Sequence, residues 1–236
     1  MTSHDIQTLF ETGAHFGYTR SRRHPSAEKF IFAAKDRNDI FDLEKTEQLL
    51  ADAQKFSASI ASSGKQILFV AGKHEAVHPV KEIAESVGQP YVAGRWIGGT
   101  LTNFKEIRKR IDRLEKLRKG RDSGEHEEKY TKLERLMIDR EITDLEDKFG
   151  GLVHMRDLPA ALFVVDPRHE STAVNEAHAL DIPIVALASS DCDFGALEHP
   201  IPANDSSVKS IRFFTECIAK AYEDNKKAVA DKKKEE

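Results

Sequence analysis

The sequence predicts a doubly wound α/β sheet carrying a helical insertion. Three observations support this. The runs Gln66–Ala71, Ala161–Asp166 and Ile182–Ala186 are almost continuously apolar, as strands are when helices cover both faces of a parallel sheet. Helix-period segments lie between these runs, so strand and helix alternate. Residues 102–150 then depart from the alternation, being almost entirely charged or helix-forming.

Residues 1–65 read as an amphipathic N-terminal stretch, a basic loop and a helix. Phe30–Ala33 and Ile40–Leu43 are short strand candidates able to form a hairpin. Glu44–Ser62 places Leu49, Leu50, Ala53, Phe56 and Ile60 at helical spacing, with Gly64 as a stop. Strand Gln66–Ala71 is followed by helix Glu75–Val87, closed by Gly88, and by the short strand Pro90–Ala93. Beyond the insertion come strand Ala161–Asp166, helix Glu170–Leu180 and strand Ile182–Ala186. A closing helix over 204–224 opens on Asn-Asp-Ser-Ser, all residues that favour helix N-caps. The charged segment 225–236 is expected to be disordered.

In the insertion, Lys105–Arg121 carries nine Lys/Arg and three Asp/Glu, net +6, and Asp122–Asp147 carries four and ten, net −6. Its apolar residues recur every three or four positions: Ile107, Ile111, Leu114 and Leu117, then Ile138, Ile142, Leu145 and Phe149. With a break at Gly120–Gly124, this predicts two antiparallel helices with a narrow coiled-coil seam, one arm basic and one acidic. Two independent solvated helices are the alternative.

The chain has 236 residues, with 36 Lys+Arg against 40 Asp+Glu, net −4. Two cysteines, Cys192 and Cys217, exclude a disulfide scaffold. No run approaches the ~18 apolar residues of a membrane span. Met1–Ile6 is polar and does not read as a signal peptide, so a cytoplasmic setting is expected. A net-negative chain argues against nucleic-acid binding, but the sum hides a basic arm that an acidic arm cancels.

Gly72-Lys73 follows a strand, where a phosphate loop would sit. A Walker loop needs Gly where Ile67 stands and Ser or Thr where His74 stands. Lys73 and His74 are instead expected at the surface of a helix N-terminus, where they could meet a phosphate. Gly94-Arg-Trp-Ile-Gly-Gly-Thr100 does not match a dinucleotide fingerprint. Its Gly98-Gly99 would permit close backbone approach. Arg95 suits phosphate contact, and Trp96 either stacks on a base or plugs the foot of the hairpin. Asp191, Cys192, Asp193 and His199 lack zinc spacing. Asp166 and Glu170 read as a strand-to-helix turn, not as an acid–base pair. Tyr18-Thr-Arg-Ser-Arg-Arg-His-Pro25 has three Arg within four residues. It suits a phosphate backbone, a solvated loop being the alternative.

Several strings, in order, resemble the bacterial ribosomal protein S2 family. They are Leu9-Phe-Glu-Thr-Gly-Ala-His-Phe-Gly17, Asp39-Ile-Phe-Asp-Leu-Glu-Lys-Thr46, Ile67-Leu-Phe-Val-Ala-Gly-Lys73 and Arg95-Trp-Ile-Gly-Gly-Thr-Leu-Thr-Asn-Phe104, then Phe149-Gly-Gly-Leu, Phe163-Val-Val-Asp166 and Pro200-Ile-Pro-Ala-Asn-Asp205. Tyr18 stands where the family usually has His, and Arg23-His24-Pro25 where it usually has Trp-Asn-Pro.

The resemblance implies a flavodoxin-like or Rossmann-like domain over 1–101 and 151–224, with a protruding antiparallel α-helical hairpin over 102–150. It implies a non-enzymatic constituent of the small ribosomal subunit in translation, with no cofactor and no metal. Small-subunit ribosomal RNA and other small-subunit proteins are the implied partners, ribosomal protein S1 among them. Arg20, Arg22, Arg23, Arg95, Lys105, Arg108, Lys109, Arg110 and Arg113 are the expected phosphate contacts. Gly98 and Gly99 would give close approach, and Trp96 would stack or brace. The competing readings are a nucleotide- or sugar-phosphate-binding α/β enzyme and a protein-interaction module built on the hairpin.

Overall fold

The computed structural model describes residues 6–235, with side chains as far as Ala228. The expectation for Met1–Asp5 lies outside the described residues. In chain order the first half comprises α1 (Ile6–Glu11), β1 (Phe16–Thr19), β2 (Ile31–Lys35), β3 (Asn38–Phe41), α2 (Leu43–Ser62), β4 (Ile67–Ala71), α3 (His74–Ser86) and β5 (Tyr91–Ala93). The insertion comprises α4 (Phe104–Asp122), α5 (Glu125–Lys129) and α6 (Lys132–Phe149). Next come β6 (Ala161–Val165), α7 (Ser171–Ala179), β7 (Ile184–Ala188), β8 (His199–Pro202) and α8 (Val208–Glu235).

Five strands form a sheet in the order β5-β4-β6-β7-β8, and every neighbouring pair is parallel. This is the doubly wound α/β sheet expected from the apolar runs. Alternate residues along each strand serve two cores. Leu68, Val70, Leu162, Val164 and Ile184 share one with α7, Trp96 and the hairpin seam. Ile67, Phe69, Phe163, Val165 and Val185 share the other with α2, α3 and α8. Two buried faces are why the strands read as unbroken apolar runs.

A second, antiparallel sheet has the order β1-β3-β2. The β2–β3 hairpin turns on Asp36 and Arg37, at φ +51 and +68, the paired positive values of a type I′ turn.

Two expectations need correction. β1 and β8 went unforeseen, because Phe16–Thr19 is too short for a pattern and His199–Pro202 contains two prolines. Proline is tolerated there because β8 is an edge strand. Helix α8 runs on through 225–235. This stretch holds no Gly or Pro and is rich in Lys, and an i,i+4 Glu223–Lys227 pair spans its start. The second hairpin arm starts at Lys132, so Glu125, Glu127 and Glu128 lie in the separate short α5.

Of the eight seam residues expected from the spacing, seven are buried and Ile138 is half-buried against them. Ile111 and Leu114 are fully enclosed, and Ile107, Leu117, Ile142, Leu145 and Phe149 are buried with them. The arms run antiparallel. Arg108, near the start of α4, bonds the carbonyls of Val153 and Met155 beyond the end of α6. The far end of α4 lies beside the chain leading into α6, where His126 rests on Gly120. A capping box between Thr131 and Glu134 starts α6. Two cross-arm ion pairs follow the predicted charge pattern, Arg113–Glu141 at 3.0 Å and Arg118–Glu146 at 2.6 Å.

Candidate nucleic-acid interface

The Arg-rich loop lies over the carboxyl edge of the parallel sheet. Three bonds pin it to the segment after β7. The His24 amide donates to the Ser190 carbonyl at 2.8 Å, the Tyr18 amide to Ser190 Oγ at 2.9 Å and the Phe194 amide to Ser26 Oγ at 2.9 Å. Its three arginines then part company. Arg20 is exposed. Arg22 is half exposed, pairs with buried Asp191 at 3.1 Å and lays its guanidinium over the Tyr18 ring. Arg23 is largely buried between Asp39, at 3.6 Å, and Glu28, at 3.7 Å. Asp39 is fully enclosed and its carboxylate oxygens accept no hydrogen bond among the described residues. Burial pushes its carboxyl up, and Arg23 opposes this. Arg23 therefore balances an interior charge.

The Gly94–Asn103 loop is organised from within. Trp96 is buried, and its indole N–H donates to Glu176 Oε1 on α7 at 3.0 Å. The amides of Gly99, Leu101 and Thr102, and the Thr102 hydroxyl, also donate to that carboxylate at 2.8–3.2 Å. Burial works to raise the Glu176 pKa, but these donors, Trp96 foremost, hold it below the usual glutamate value. Trp96 is thus held inside the loop at the foot of the hairpin. Gly99, at φ +88, turns the backbone so that its amide reaches Glu176. Gly98 and Arg95 are exposed.

On α4, Lys105, Lys109, Arg110 and Arg113 are exposed. Lys109 pairs with Glu106, and Arg113 with Glu141. Among the described residues Lys105, Arg110 and Arg95 form no ion pair. Arg108 is placed differently from its neighbours. Its guanidinium is mostly buried and is used by Asp112, Glu115 and the Val153 and Met155 carbonyls, so it fastens the foot of the hairpin. Charge counting cannot separate Arg108 from Arg110.

The crevice between β4 and β6, where the chain reverses its direction of winding, is the usual ligand position in such sheets. Here the protein's own side chains fill it. The Glu170 carboxylate packs where a Cβ on Gly72 would lie. Lys73 Nζ, expected at the surface, sits 2.6 Å from Asp166 and 3.0 Å from Asp205. Burial would lower the Lys73 pKa, but Asp205 and Asp166 hold it above the usual lysine range. Burial and the charge of Asp166 push Asp205 up to about 6, against the pull of Lys73. Asp166, at φ +58, caps the following turn through the amides of Arg168 and His169.

Asp166, Cys192 and Asp205 converge closely enough to resemble a metal cradle. The Lys73 ammonium already occupies the cationic place, and burial pushes the Cys192 thiol up. The set does not fit a cation.

Sequence reasoning missed Glu176 and Arg168. Arg168 is half exposed and shares Asp191 with Arg22, at 2.7 Å. Its only signal was its place directly after the β6 turn.

The family model described as Ribosomal protein S2 matches residues 9–225. Proteins named small ribosomal subunit protein uS2 align with nearly the whole chain. The one from Chloroherpeton thalassium is 43% identical over 93% of this chain and 87% of its own length. Those from Roseiflexus sp. and Solidesulfovibrio magneticus are 42% and 40% identical over 92% of this chain, covering 82% and 83% of their own lengths.

Proposed function

The chain belongs to the ribosomal protein S2 family, and we propose that it is a structural, non-enzymatic constituent of the small ribosomal subunit, held there by phosphate contacts to ribosomal RNA in the cytoplasm. The observation that carries the RNA contact is a set of exposed cations whose charge the protein does not use internally. Arg95, Lys105 and Arg110 have no ion-pair partner among the described residues, and Arg20 is exposed beside them in the set. Arg22, Lys109 and Arg113 add half-exposed or exposed charge. Such contacts position a protein by charge and shape, with little reading of bases. The filled crevice between β4 and β6 weighs against the nucleotide-binding enzyme.

Exposed Phe10, Phe16 and Phe32 near the three-stranded sheet favour a protein neighbour as well. Ribosomal protein S1 is the neighbour to test first. Among the described residues no helix is long and apolar enough to cross a membrane.

The test is cofractionation of tagged protein with small subunits on a sucrose gradient. The triple variant Arg95→Ala, Lys105→Ala, Arg110→Ala is expected to shift toward the free fraction, more so at higher salt. Unchanged incorporation would overturn the assigned surface.

A further inference from the structure

We infer that the cleft between the Arg-rich loop and α7 receives one unstacked nucleotide of a single-stranded RNA segment. The inference rests on the RNA-binding reading above and names a site within it. The cleft has a volume of about 450 Å³, inside the range of roughly 300–1,000 Å³ typical of small-ligand pockets. It lies beyond the ends of β6 and β7, away from the plugged crevice between β4 and β6.

Its chemistry is divided. Arg22 and Arg168 stand on one side, both fastened to the single carboxylate of Asp191. Two guanidiniums share one buried carboxylate, and both side chains remain half exposed toward the cleft. The other carboxylate on the lining, Asp193, is exposed, accepts from the Gly195 amide at 2.8 Å and lies 3.8 Å from His24 Nδ1, so it stands at the rim away from the paired guanidiniums' shared partner. Pro25, Val174 and Leu197 supply an apolar wall, and Asn175 an exposed amide. An apolar wall with an amide beside it suits a base, and paired guanidiniums suit the phosphate attached to it. RNA is read in this way when single-stranded bases are splayed out of a stack.

A strand is favoured over a free mononucleotide because further cations lie outside the cleft. Arg20 is two residues from Arg22, on the same pinned loop, and is exposed. It would meet the next phosphate along.

The experiment measures fluorescence anisotropy of a labelled single-stranded octa-adenylate with the full chain. AMP and inorganic phosphate are the competing probes. Asn175→Trp blocks the cleft from an exposed position without altering charge. Arg168→Ala removes one guanidinium while Arg22 keeps Asp191 paired. Each is expected to weaken octamer binding by about tenfold, Asn175→Trp by excluding the base and Arg168→Ala by removing one charged phosphate contact, with an unchanged melting temperature. AMP and phosphate are expected to compete only at far higher concentration. Wild-type affinity in Asn175→Trp, with cofractionation intact, would overturn the cleft and leave the RNA-binding reading standing. Failure of the wild type both to bind the octamer and to cofractionate would overturn that reading too. AMP competing as well as the octamer would overturn the assignment to a strand.

Discussion

Trp96 donates its indole N–H to Glu176 across 80 residues of sequence, at 3.0 Å. Through that bond a carboxylate on α7 holds the loop from which the hairpin departs. The same carboxylate takes three backbone amides of the loop, so no other side chain in the described residues organises as much of it.

Glu176→Ala should therefore be costly. It strands buried donors at about 1–3 kcal/mol each, so a loss of roughly 3 kcal/mol is expected, or a melting temperature lower by roughly 6–12 °C. The folded pKa lies below the usual 4.5. The contribution is thus fully present above that value and is lost as pH falls through the folded pKa. Calorimetry at pH 7 and pH 4 checks both statements. A variant melting with the wild type at pH 7 would refute the role.

The hairpin should depend on its seam more than on its ion pairs. Leu114→Ala removes a fully buried side chain and should cost about 2–5 kcal/mol. Glu141→Ala breaks a solvent-exposed pair with Arg113 and should cost less than about 1 kcal/mol. Urea midpoints of the two variants compare them directly, and a larger loss in Glu141→Ala would reverse the ranking.

Arg108 and Arg110 should separate stability from RNA affinity. Arg108→Ala leaves the Val153 and Met155 carbonyls without their donor and should lower the melting temperature by several degrees. Arg110→Ala should leave melting unchanged and shallow the salt dependence of RNA binding, since one phosphate contact fewer releases fewer counterions. Melting and salt-titrated filter binding on both variants decide the point.

Asp205 should give stability a pH slope of its own. Its folded pKa is raised to about 6 from 3.8. Between those values the folded state holds a proton that the unfolded state releases, so stability falls as pH rises from about 4 to about 6 and then levels. Lys73 acts elsewhere on the scale. Its raised pKa stabilises below the ordinary lysine value of 10.5 and fades only at more alkaline pH. Asp205→Asn should flatten the pH 4–6 segment, removing a slope of at most about 3 kcal/mol. Parallel urea curves for variant and wild type would refute this.

Local pattern made the parallel strands, their helices and the hairpin seam legible. Burial on both faces writes itself into runs such as Ile67-Leu-Phe-Val-Ala71, and a coiled seam into Ile107, Ile111 and Leu114. What pattern could not carry was pairing. Arg23 and Arg108 have the composition of phosphate contacts, yet Asp39 and the Val153 carbonyl take their charge and donors inside the fold. Glu176 was invisible for the same reason, since its partners lie far away in sequence. β8 hid behind prolines that only an edge strand accepts.

The 19 residues of α4 span roughly 28 Å at about 1.5 Å per residue. At that radius a tilt of about 10° at the foot carries the far end through about 5 Å. The hairpin is in effect a lever whose fulcrum is shared by Glu176 and Arg108. Small losses of stiffness around Glu176 would be magnified along the arm, and the first contacts to lose register would be those farthest from the mutation.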